Sequence, residues 1–147
     1  MSEPPSYTES RLVAMMRESG VRPSVQRLAV LSLIANGRCH PTADELYDTL
    51  SQSCPTLSRT TVYNSLHALV DAALVRELDI ESGTRHYDLA PQPRHAHFVC
   101  RSCGHIHDLP MPAGIDSHGA TTFAIDSVDV VYRGLCPACV TASPQQQ

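Results

Sequence analysis

Two Cys-x-x-Cys pairs stand in the last third of this chain. Cys100 and Cys103 form the first, Cys136 and Cys139 the second, and the 32 residues 104–135 lie between them. Four thiolates spaced in this way meet the corners of one tetrahedron, the usual arrangement of a structural zinc. No other feature constrains the fold as strongly, because the long spacer must leave the first pair, form structure of its own and return to close the second. Disulfides are the competing use of paired cysteines, and they suit oxidising compartments. No basic start followed by an apolar run opens the chain, and no stretch approaches the roughly 20 apolar residues of a membrane span. The expected setting is therefore cytoplasmic, with no membrane partner, and the cysteines are expected to be metal ligands.

Spacing alone does not separate zinc from iron. Cys100-Arg101-Ser102-Cys103-Gly104 followed by Cys136-Pro137-Ala138-Cys139 resembles rubredoxin, a redox protein with one iron on four cysteines. Against that reading, Val140 stands where the second rubredoxin turn has glycine, and the aromatic core of rubredoxin is missing, with no Trp and two Phe in the chain. A cytidine deaminase is excluded, since the chain lacks both the proline immediately before a Cys-x-x-Cys and the His-x-Glu of that chemistry. Cys39 and Cys54 are unpaired in sequence. Cys39 adjoins His40 and reads as a small buried hydrophobe or a free thiol, and the roles of both are left open.

The first ninety residues have a different texture. Apolar spacing predicts a helix over Thr8–Ser19 ending at Gly20, a second capped by Ser24 and ended by Gly37, a third opened by the capping box Thr42-Ala43-Asp44-Glu45, and a fourth capped by Ser58. The period then changes. Leu74–Ile80 alternates as a strand, Glu81-Ser82-Gly83 turns, and Thr84–Leu89 returns. Helices followed by a hairpin predict a winged helix-turn-helix. Ala90-Pro91-Gln92-Pro93-Arg94 is a stiff linker. Beyond it, strand-like runs occur at His97–Cys100, His105–Leu109, Phe123–Ile125 and Val128–Tyr132. The expected organisation is α+β: a winged-helix domain over 1–89, a hinge over 90–94, a small α/β dimerisation and metal domain over 95–140 carrying the four-cysteine zinc site, and a disordered tail over 141–147.

The fourth helix begins "SRTTVYN". Small polar residues at a helix start, followed by Tyr63 and Asn64, suit a recognition helix that enters the major groove by its N-terminal end. Asn bonds adenine through two hydrogen bonds, and Thr or Tyr touches a thymine methyl. The formal charge of −4 offers no general attraction to DNA, but every one of the 11 basic residues is Arg, the better fork for phosphate and guanine. Ser58, Arg59, Thr60, Tyr63 and Asn64, with Arg22 ahead of the second helix, are the candidate DNA contacts.

These parts together resemble the ferric uptake regulator (Fur) family of metal-dependent bacterial repressors, over nearly the whole chain. "GVRPSVQRLAVL", "HPTADELY", "TTVYNSLHAL" and the two Cys motifs carry the likeness, although Ser24-Val25 stands where Thr-Pro is usual. Within the family the pattern is most similar to the peroxide-sensing PerR-type branch, from "TVYN" and from an Asp at position 108 where iron-sensing members more often have Glu. The resemblance implies a regulatory iron(II) or manganese(II) on His40, Asp88, His95, His97 and Asp108, a set suited to iron, manganese or zinc. It also implies a homodimer on a double-stranded operator with inverted-repeat half-sites. Arg94 and Ala96 occupy the slots of a third metal site found in many relatives, so that site is expected to be absent. The spacer between the Cys motifs is shorter than usual, Pro110, Pro112 and Gly114 weaken the dimerisation helix, and "VYRGLC" carries an extra residue; dimer geometry is left open.

Several histidines compete for attention. His95 and His97 are two apart, so on a strand they share a face. His105 and His107 would face away from Asp108, although a slip of register would bring His107 into the set. His67 and His86 read as surface groups, and His118 sits in a Gly-flanked loop. The implied function is a repressor, not an enzyme, that senses peroxide when bound iron(II) promotes oxidation of His40 or His95. The alternative is a reversible iron- or zinc-uptake repressor using the same ligands. The target genes, the operator sequence and the physiological metal are not encoded in these patterns.

Overall fold

The computed structural model describes residues 6–37, 40–81, 83–90, 94–115, 122–125 and 128–142, the side chain of Glu81 excepted. The chain divides into two compact units, Met1–Gln92 and Pro93–Gln147. Cys39, His118, the Pro91–Pro93 stretch and the tail from Ser143 lie outside the described residues.

The first unit contains α1 (Glu9–Glu18), α2 (Val25–Asn36), α3 (Ala43–Ser53), α4 (Arg59–Asp71), and the hairpin strands β1 (Val75–Glu81) and β2 (Thr84–Leu89). Each of the four helices starts at a hydroxyl cap. Thr8, Ser24, Thr42 and Ser58 accept from the backbone N–H three residues on, and Thr42 with Glu45 completes the reciprocal capping box. One hydrophobic core joins all six elements, with Leu12, Met16, Leu31, Leu46, Leu66 and Leu89 fully buried. The order of four packed helices and a β-hairpin is the winged helix-turn-helix that the patterning predicts. Gly83 turns the hairpin at φ 87°, a conformation glycine adopts without cost.

The second unit holds β3 (His95–Cys100), β4 (Ile106–Pro110), β5 (Val131–Gly134) and the short α5 (Pro137–Ala142). β3 is central, antiparallel to β4 and parallel to β5. Three expectations are corrected here. Phe123–Ile125 is not a strand. The last strand begins at Val131 rather than Val128, since its partner β3 fixes the paired stretch through His97↔Val131 to Cys100↔Gly134. Thr141 and Ala142 belong to α5 rather than to a tail. Among the described residues between β4 and β5 there is no helix, in keeping with the prolines and glycine of that stretch. No helix among the described residues is long and apolar enough to cross a membrane.

Candidate metal centres and nucleic-acid interface

The four cysteines of the two pairs converge. Their sulfurs all lie within 4.8 Å of one another, and Cys103 Sγ stands 3.8 Å from Cys136 Sγ. Sulfurs about 2.3 Å from a tetrahedral zinc stand about 3.8 Å apart, so the donor set fits that ion. Two different turns achieve this. At the first, Cys100 N–H donates to the His105 carbonyl and Gly104 N–H to the Cys100 carbonyl, with Gly104 at φ 73°. At the second, Pro137 opens α5 and Cys139 and Val140 N–H both donate to the Cys136 carbonyl. The second turn runs on into helix, which is why Val140 can stand where a tight turn would need glycine.

Electrostatics within the cluster also call for a cation. Backbone N–H groups of Cys103 and Cys136 hold the Cys100 thiol down to about 5. Cys139, facing Cys136 and then Cys100, is pushed up to about 12. For Cys103 a backbone N–H from His105 is the largest single influence and lowers it, but the Cys100 sulfur, desolvation and the Cys136 sulfur together raise it. One thiolate forms readily and its neighbours resist a second negative charge, so full ionisation needs a positive ion among them.

A second donor group lies on the same unit's sheet. His97 and Asp108 are direct cross-strand partners, and His95 lies two residues along on the same face. Asp108 Oδ1 is 3.3 Å from His95 Nε2 and 3.8 Å from His97 Nε2. His97 is only 2% exposed. Register places His107 opposite Phe98, with ring centroids 6.3 Å apart; it therefore stands on the other face of the sheet from Asp108. Ala96 is fully buried.

In the first unit, His40 Nε2 and Asp88 Oδ2 are 3.9 Å apart. Asp88 Oδ1 accepts from Leu89 N–H at 2.8 Å, and Oδ2 is 3.4 Å from the Arg76 guanidinium across the hairpin. Two residues that sequence reasoning placed elsewhere or passed over take part. His86, assigned to the surface, is half-buried, and its Nδ1 lies 2.7 Å from the His40 carbonyl oxygen. Arg76 had no signal of its own, since only the strand register sets it opposite Asp88.

The DNA candidates fall into three groups. Arg22 and Asn64 line one cavity of about 450 Å³ together with Gln26, Arg27 and Thr61. Tyr63, 44% exposed, lines another with Asp44 at the start of α3 and Gly83 and Arg85 of the wing. Ser58 and Arg59 are exposed and have partners within the chain: Ser58 Oγ caps α4 and meets Thr61 Oγ1 at 2.9 Å, while Arg59 pairs with Asp44 and lies 4.4 Å over the Tyr47 ring. Thr60 is exposed on the first turn.

The Ferric uptake regulator family model matches residues 18–125. Over 143 residues the chain is 33% identical to the transcriptional regulator FurA of Mycobacterium tuberculosis, covering 95% of this chain and 93% of that one. It is 37% identical over 131 residues to the peroxide-responsive repressor PerR of Staphylococcus aureus, covering 86% and 88%. A zinc uptake regulator solved in complex with zinc and DNA superposes with a TM-score of 0.70 at 28% identity, covering 94% and 99%. With these matches the rubredoxin alternative falls. A helix-turn-helix unit with a hairpin wing, followed by a sheet that carries two donor clusters, places this chain in the ferric uptake regulator family, as a metal-responsive DNA-binding transcriptional regulator and not an enzyme.

Proposed function

We propose that this chain is a homodimeric repressor that senses peroxide through a regulatory iron(II) or manganese(II), with a separate structural zinc. Cys100, Cys103, Cys136 and Cys139 hold the zinc. His40, Asp88, His95, His97 and Asp108 are the regulatory ligands, drawn from both sides of the Pro91–Pro93 linker, so occupancy sets the orientation in which the DNA-reading helices are presented to two half-sites of an inverted-repeat operator. Arg22, Ser58, Arg59, Thr60, Tyr63 and Asn64 face DNA, Ser58 while it caps α4 and Arg59 with the N–H groups not used on Asp44. The observation that carries the reading is the His95–His97–Asp108 cluster, with a short carboxylate at its exposed corner and no ligand shared with the four cysteines.

Iron(II) held by these residues would supply one-electron cleavage of peroxide; over the whole reaction the imidazole would give up two electrons and gain one oxygen, the peroxide would take those electrons and release its other oxygen as water, and the iron would end as iron(II). His40 and His95 are the expected targets. Oxidation of either would remove a donor from the site, weaken its hold on the metal and end repression.

The test compares iron(II) and manganese(II) forms of the full chain for operator binding before and after peroxide. Both forms bind; only the iron form is inactivated, with one added oxygen on the peptide holding His40 or His95. Inactivation of both forms with oxidation confined to cysteines would make the sensor a thiol switch. Insensitivity of both forms would favour the reversible iron- or zinc-uptake repressor, a reading that the likeness to the zinc uptake regulator supports.

A further inference from the structure

The segment from His40 to Thr42 is laced to β2 by three contacts. Thr42 pairs with His86 in an isolated bridge, Tyr87 N–H donates to the Pro41 carbonyl at 2.9 Å, and His86 Nδ1 lies 2.7 Å from the His40 carbonyl oxygen. A carbonyl oxygen only accepts, so Nδ1 carries the proton and the tautomer of His86 is defined. We propose that His86 is a positioning residue for the regulatory metal, holding the backbone of His40 in place so that its imidazole stands beside Asp88. This rests on the reading of His40 and Asp88 as ligands given above.

The stereochemistry supports the assignment. His40 precedes Pro41, and the residue before a proline is confined to extended backbone. What remains to be set is the orientation of the His40–Pro41 peptide plane. His86 sets it by donating to the carbonyl of that peptide. Once the plane is set, the Cα–Cβ direction of His40 is set relative to β2. The same strand carries Asp88 two residues beyond His86, and strand alternation puts His86 and Asp88 on one side. A single strand thereby places both donors of the first unit: Asp88 directly, and His40 through His86. The 3.9 Å between His40 Nε2 and Asp88 Oδ2 depends on both routes. Groups that orient a ligand without touching the metal typically change affinity by about 10–100-fold when lost.

The experiment titrates manganese(II) into the zinc-loaded full chain, reads free manganese by electron paramagnetic resonance, and records zinc content and melting temperature alongside. His86→Leu removes the donor; His86→Asn places an amide N–H near the position of Nδ1; His40→Ala and Asp88→Ala remove the ligands themselves. His86→Leu is expected to bind manganese about tenfold more weakly with zinc content unchanged, and His86→Asn to recover most of the loss. If His86→Leu does not fold, His86→Thr, too short to reach the carbonyl, takes its place. Parent-like affinity in His86→Leu alongside loss in His40→Ala overturns the role of His86 and leaves the ligand reading intact. Equal loss in the leucine and asparagine variants overturns the hydrogen-bond role in favour of packing. Parent-like affinity in both ligand variants overturns the ligand reading, and the role of His86 with it.

Discussion

Arg22 precedes α2 and Asn64 sits on the second turn of α4, yet both line one cavity with Arg27. The two residues should fail differently when changed. Asn64 offers an amide suited to a base edge, so Asn64→Ala should relax base preference at one position and cost about 1–3 kcal/mol on the best operator. Arg22 offers charge to the phosphate backbone, so Arg22→Ala should weaken binding to all sequences alike and reduce the slope of log K against log salt by about 1. Competition binding at several salt concentrations separates the two. Parent-like behaviour of both variants would remove α4 from the major groove. Asp88 shows the same division of labour within one carboxylate: Leu89 N–H takes Oδ1, while Oδ2 is aimed towards His40 and Arg76.

At the scale of elements, helix starts are well specified and one helix end is not. Four hydroxyl caps open the four long helices, but α4 hands over to β1 through Ala73 at φ 57°. Ala73 N–H donates to the Val70 carbonyl and Leu74 N–H to that of Leu69, the two-bond closure that glycine usually serves. A side chain in this region costs roughly 1–2 kcal/mol. Glycine would remove that strain and give back about 0.4–1 kcal/mol through the greater freedom of its unfolded chain. Ala73→Gly should therefore stabilise the first unit by about 0.5–1 kcal/mol, read as a higher denaturant midpoint at unchanged slope; a lower midpoint would refute the argument.

For the whole molecule, stability is unevenly supplied. The large apolar cluster, from Leu12 to Leu89, lies wholly in the first unit. Among the described residues of the second, the buried apolar side chains are few: Ala96, Val99 and Ile106, with Cys100 and Cys136 beside them. A core that small gains from a staple, and a metal on the four cysteines would supply one. Stripping zinc with a strong chelator should abolish dimerisation and the near-ultraviolet signal of the second unit while most helical dichroism survives, since among the described residues the long helices are in the first. Loss of all helix at the same chelator concentration would show one cooperative unit instead. Acid should help the chelator. Cys100 is depressed to about 5, so its thiolate persists through the neutral range and is lost only as pH falls through that value. Cys103 and Cys139 are raised, so protons compete with metal for those two sulfurs well above neutrality. Zinc affinity should therefore fall steadily as pH is lowered across the neutral range, and more steeply below about 5, where Cys100 also takes a proton.

What the sequence determined by itself is whatever repeats over a few residues. Hydroxyl caps, helical periods, the Gly83 turn and the Cys-x-x-Cys turns each draw on neighbours in the chain, and the winged helix and the four-thiol cluster follow from them. The His95/His97 pair was legible for the same reason, because strand alternation needs only a spacing of two. Pairings between distant segments were decided by the tertiary structure. Register alone sets Asp108 opposite His97, His107 opposite Phe98 and Arg76 opposite Asp88. The parallel partnership of β3 with β5 moved the last strand three residues from its expected start, since parallel pairing leaves no turn signal in the sequence. His86 could not be read as anything but a surface group until the His40–Thr42 segment was seen lying along β2. A hydrogen bond to a backbone carbonyl has no residue code at its accepting end, so only the folded chain could disclose it.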